Sequence, residues 1–96
     1  MLQLRISAEA EGDIDQIVAY TIQTWGWRQA DRYLGKLEEG IELLVRNPSA
    51  GRSCDSIKSG LRRFEIGRHV IFYLPGSDGV LIVRVLHERM LPSRYL

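Results

Sequence analysis

The chain has 96 residues, 45% hydrophobic and 26% charged, which is the balance of one globular domain with one modest core. A single cysteine, Cys54, excludes an intrachain disulfide and fits a reducing cytoplasm, and no apolar run approaches the roughly 18 residues that span a bilayer. The net charge of +1 hides an asymmetry: residues 1–51 hold five Lys/Arg against eight Asp/Glu, residues 52–96 eight against four.

The basic second half points to an acidic partner, while the near-neutral whole argues against a general nucleic-acid binder. The opening MLQLRISAEAEGD lacks the apolar core of a secretory signal.

In chain order, Leu2–Ile6 alternates apolar and polar residues and predicts a short strand. Ser7 is a good helix N-cap, with Glu9 and Glu11 near the positive helix end. Ile14, Ile17, Val18, Ile22 and Trp25 then recur at helical spacing, predicting an amphipathic helix over Ala8–Trp25 with Trp25 closing its core stripe. Gly26 breaks it. Arg28–Arg46 predicts a second helix through Ala30, Tyr33, Leu34, Leu37, Ile41, Leu44 and Val45, ended by Asn47-Pro48. The short break makes the two an antiparallel hairpin, and Trp27 at its tip is the better surface aromatic of the pair.

Asn47–Gly60 reads as a loop. Strands follow at Leu61–Ile66, Arg68–Leu74 and Val80–His87, turned at Gly67 and at PGSDG. The expected fold is α+β, a single domain over residues 1–96 with order β-α-α-β-β-β: a helical hairpin on one face of a small, mainly antiparallel sheet. Alternation sets His69, Ile71 and Tyr73 on one strand face and Val70 and Phe72 on the other. Val70 and Phe72 are assigned to the helices, which leaves Ile71 and Tyr73 on an uncovered, arginine-rimmed face open to an added strand or a packed helix. Adjacent Arg62 and Arg63 point to opposite faces. Two histidines and a distant cysteine give no metal signature, and no cofactor motif is present.

This order, with SAEAEGDIDQIVAYT (Ser7–Thr21), WGWRQADRYLGKLEEGIELL (Trp25–Leu44), NPSAGR (Asn47–Arg52), GLRRFEIGRHVIFY (Gly60–Tyr73) and VLHERM (Val85–Met90), resembles the ParE branch of the RelE/ParE toxin superfamily. The resemblance implies a bacterial toxin of a type II toxin–antitoxin system that poisons DNA gyrase. It also implies neutralisation by a ParD-type antitoxin in a cytoplasmic hetero-oligomer, without cofactor, membrane or sequence-specific nucleic-acid partner.

The sister RelE branch cleaves mRNA on the ribosome and needs a base, an acid and phosphate-binding cations. Arg62, Arg63, Arg68 and His69 could hold phosphate, with His87 or Tyr95 in acid–base roles. The position matching one nuclease subgroup's catalytic arginine is Val70, and its final-strand His-Tyr pair falls on Glu88 and Arg89. The expectation is therefore a non-enzymatic ParE-type toxin. A RelE-like endoribonuclease is the alternative, and a ParE-like protein that has lost toxicity a third reading. The expected contacts to antitoxin or target are Arg62, Arg63, Arg68, His69, Ile71, Tyr73, Trp27 and Arg89, with no catalytic and no metal-binding residue.

Overall fold

The computed structural model describes residues 3–96. Strand β1 (Gln3–Ile6) leads into α1 (Ala8–Trp25) and α2 (Trp27–Arg46). A two-residue strand β2 (Arg52–Ser53) precedes β3 (Arg62–Ile66), β4 (His69–Gly76) and β5 (Gly79–His87), and a 3-10 turn covers Pro92–Arg94. The expected first strand is present from Gln3; Leu2 lies outside the described residues. The two helices pack on a five-stranded mixed sheet of order β1-β5-β4-β3-β2, in which only the β1–β5 pair is parallel.

Local chemistry sets the boundaries. Ser7 Oγ accepts the Ala10 N–H at 3.0 Å to cap α1 and donates to Val83 O at 2.7 Å, so one hydroxyl starts the helix and ties it to β5. Gly26 stands at φ 91°, a left-handed region that any Cβ disfavours, which is how one residue separates two long helices.

The β2 pairing, absent from the sequence reading, depends on the turn at 47–51. Tyr73 Oη donates to Pro48 O at 2.7 Å and accepts Gly51 N–H at 2.9 Å. A Cβ on Gly51 would lie 2.5 Å from Arg63 O and 2.6 Å from Tyr73 Oη, so only glycine lets this turn lie flat on the sheet edge.

The strand faces are the reverse of the sequence assignment. Ile71 and Tyr73, with Val80, Ile82 and Val85, form the helix-side core with Ala10, Leu37, Ile41 and Leu44. Val70 and Phe72 join Leu61, Leu86 and Cys54 in a second core on the opposite face, with Leu74, Val83 and Met90 packed against it. That face is therefore closed within the chain itself. The run VIFY (Val70–Tyr73) is buried on both sides, so alternation carried no phase information.

The second helix packs more deeply than the first. α2 buries Ala30, Leu37, Ile41 and Leu44, whereas α1 fully buries only Ala10 and Thr21. Trp25, expected to close the core stripe, is 71% exposed, and Ile22 is 46% exposed.

Candidate partner-binding groove

Alongside the exposed flank of α1 runs a groove of about 770 Å³. One wall is α1, through Asp13, Gln16, Ile17, Tyr20, Thr21 and Trp25; the other is Tyr33 of α2, the β3–β4 turn and the end of β5, with Arg68, His69, Val85, His87, Arg89 and Met90. These residues are distant in sequence. The antiparallel register brings them together, because His69 pairs directly with His87 and Gly67-Arg68 makes the turn against Tyr33 of α2.

Polar order in the groove centres on Tyr33. Its Oη accepts Arg68 N–H at 3.1 Å, lies 3.2 Å from Ile66 O, and meets His69 Nδ1 at 2.6 Å. The assignment that satisfies every group has Tyr33 donating to Ile66 O and His69 donating from Nδ1, which leaves His69 Nε2 with a lone pair. The His69 and His87 rings meet edge to face, centroids 5.3 Å apart. His87 Nδ1 accepts Arg89 N–H at 3.1 Å.

Burial lowers the His69 pKa and the neighbouring His87 adds to this, with Glu88 opposing. Burial raises the Tyr33 pKa, against the bond from the Arg68 backbone. Both side chains are neutral near pH 7.

The one acidic group on the walls is already neutralised. Asp13 takes a two-point contact from Arg84, Nε to Oδ2 and Nη2 to Oδ1, each 2.8 Å, and also accepts Val85 N–H at 2.9 Å. β1 has ended at Ile6 by this point, so the carboxylate caps an edge amide of β5 that no strand covers. Asp13 first holds Arg84 charged, by that hydrogen bond, and raises its pKa. The remaining Arg84 nitrogen, Nη1, donates to Tyr95 O at 3.2 Å. Arg68 and Arg89 are exposed and belong to none of the ion pairs among the described residues.

Of the expected contact residues, the fold brings Arg68, His69 and Arg89 together. Arg62 and Arg63 sit at the other end of β3. Arg62 donates to Ser49 O and Gly51 O, and Arg63 lies over the Phe72 ring at 5.5 Å. Ile71 and Tyr73 are fully buried and offer nothing to a docking partner, which corrects their place on an open face. Trp27 is 65% exposed but lies outside the groove. The sequence reading missed Tyr20, Trp25 and Tyr33 as groove residues; Tyr20 shares the helical spacing of Asp13, Gln16 and Ile17, whereas Tyr33 faces them from α2 and reaches the groove by tertiary placement. No three His, Cys, Asp or Glu residues among those described could together hold a metal ion, and no helix is long and apolar enough to cross a membrane.

Residues 4–92 match the family model for the ParE toxin of the type II toxin–antitoxin system parDE. The chain belongs to this ParE toxin family. Toxin ParE1 of Mycobacterium tuberculosis strain H37Rv is 38% identical over 92 residues, covering 95% of this chain and 94% of that protein. Toxin ParE1 of Caulobacter vibrioides is 39% identical over 90 residues, 94% of this chain and 93% of the relative. Toxin ParE of Escherichia coli is 37% identical over 86 residues, 88% and 84% of the two chains. The fold matches a chain of the chromosomal ParDE TA system from P. aeruginosa with a TM-score of 0.76 at 22% identity, covering 91% of this chain and 96% of that one. The layout read from the sequence is thus the family fold, with β2 as an additional edge strand.

Proposed function

We propose that this ParE-type toxin seats a ParD-type antitoxin segment in the α1 groove and inhibits DNA gyrase in the cytoplasm by binding, without catalysis. The observation that carries the antitoxin site is the character of the groove. Its floor is apolar and aromatic, its rim bears the unpaired Arg68 and Arg89, and its one carboxylate is spent on Arg84. An amphipathic segment with carboxylates at one end complements all three features. Support for a non-catalytic mode comes from Val70, which stands where one RelE subgroup has its catalytic arginine and is buried in the far core.

The histidine cluster gives the endoribonuclease reading its one favourable observation. His69 offers a neutral imidazole beside two arginines, the raw material for proton transfer. The deciding experiment runs purified chain in two assays, gyrase supercoiling with cleavage-complex detection and cleavage of ribosome-bound mRNA. The expected result is gyrase poisoning with intact mRNA, reversed by antitoxin. Cleaved mRNA with normal supercoiling would overturn the proposal, and neither effect with tight antitoxin binding would favour a chain that has lost toxicity. In the same preparation, Arg68→Glu with Arg89→Glu is expected to weaken antitoxin binding by about tenfold or more.

A further inference from the structure

The tip of the helical hairpin is a second surface that the groove does not absorb. Trp25 and Trp27 flank Gly26 and are 71% and 65% exposed. Arg28 lies over the Trp27 ring at 5.5 Å, and Arg28, Gln29 and Arg32 line a shallow hollow with Trp25. Neither arginine belongs to an ion pair among the described residues. Two large, unburied indoles cost a monomer solubility and contribute nothing to its core; Trp and Arg are also the side chains that dominate protein-interface energies.

Charge selects the kind of partner. The helical layer, Ala8–Arg46, carries eight Asp/Glu against four Lys/Arg. A polyanion approaching the tip meets that net negative layer, and two arginines cannot track a phosphate backbone. A protein surface with an apolar pocket and one or two carboxylates at its rim fits the indoles and both guanidinium groups. Trp25 lines both the tip hollow and the antitoxin groove, so the two surfaces share one side chain.

We infer that Trp25–Trp27, with Arg28 and Arg32, is the surface that engages the toxin's target, a protein with an acid-rimmed apolar pocket. An antitoxin segment in the groove blocks that engagement by covering Trp25. This rests on the toxin reading above but not on the target being gyrase.

The test expresses the full chain in bacteria and measures growth arrest, with antitoxin affinity measured on purified protein. Trp27→Ala is expected to reduce arrest about tenfold or more while changing antitoxin affinity less than about twofold, because Trp27 lies outside the groove. Trp25→Ala is expected to weaken both. Arg28→Glu with Arg32→Glu serves as a second variant that leaves the indoles in place and is expected to follow Trp27→Ala. Circular dichroism confirms that each variant is folded.

Full arrest by Trp27→Ala would overturn the inference. So would loss of its antitoxin affinity, loss of a wild-type self-association detected by sedimentation, or loss of a wild-type affinity for a labelled single-stranded oligonucleotide. Wild-type arrest with normal supercoiling would defeat the gyrase reading alone, with the tip still judged by Trp27→Ala. A wild-type chain that causes no arrest would overturn both.

Discussion

The two ends of the helical hairpin are made from the same kind of amphipathic sequence and are used in opposite ways. At the base, α1 is locked to β5 by Ser7 on Val83 O and by Asp13 on Arg84 and Val85. Ile82 O, Val83 O and Val85 N–H on the β5 edge there have fixed partners. Toward the tip, Tyr20, Ile22, Trp25 and Trp27 stay exposed, by 46% to 71%. The difference teaches that an apolar stripe reports where a helix can bury surface, while the extent of the sheet decides where it does. The base holds the fold, and the tip and flank remain available to partners.

The sharpest way to break this contrast is at the base. Asp13→Ala strands the Arg84 charge, of which only 19% of the side chain is exposed, and leaves the Val85 amide unpaired. The expected loss is about 3 kcal/mol, read by urea unfolding. Replacing both partners with apolar residues should recover much of it; no recovery would mean the pair contributes more than it costs to bury.

A smaller loss is expected at the opposite sheet edge. Tyr73→Phe removes the donor to Pro48 O and the acceptor for Gly51 N–H, at about 1–3 kcal/mol, and should free β2 for rapid amide exchange. Unchanged exchange at Arg52 and Ser53 would show that Tyr73 does not hold the edge.

The groove separates from both by its pH response. His69 has a lowered pKa in the folded chain, so as pH falls the unfolded chain takes up that proton first. Its contribution to stability is complete above the ordinary value of 6.5 and is lost as pH drops from there through the lowered folded value. Unfolding midpoints measured between pH 8 and pH 5 should decline, and His69→Asn should flatten the decline. An unaltered slope would show that His69 does not carry it.

The smallest effect belongs to the tip. Trp27→Ala should change stability by less than about 0.5 kcal/mol, as an exposed side chain with no core contact. A larger loss would mean that the two hairpin ends are not separate in the way described.

The sequence made the helices legible to within a residue, because Ser7, Gly26 and Asn47-Pro48 punctuate strong periodic stripes. The succession β3, β4, β5 was equally readable from Gly67 and the PGSDG turn, whereas β2 and the parallel seat of β1 beside β5 were not. Strand facing was not. Val70 to Tyr73 are apolar in succession and buried on both sides, and the β4–β5 register shifts between Phe72 and Tyr73, so no local alternation fixes the phase. The bond from Arg84 to Asp13 joins residues separated by 71 positions, beyond anything spacing reveals. Arg68, His69 and Arg89 were named among the expected contacts, but their meeting depends on the His69–His87 register, which the sequence did not show. Tyr33 looked like ordinary helix stripe, and its second task as the hydrogen-bond hub of the groove is set by tertiary placement alone.

The parallel pairing of β1 with β5 also governs when the protein can exist. Among the described residues β1 has one strand partner, Gly79 to Ile82 of β5, which is synthesised much later. Long-range pairing of this kind cannot begin until its later member is synthesised. A nascent chain therefore emerges with both helices but without the strand that closes one wall of the groove. A chain cut short of Gly79 lacks both the partner of β1 and the β5 wall of the groove, so such a fragment is not expected to offer the binding surface of the full fold.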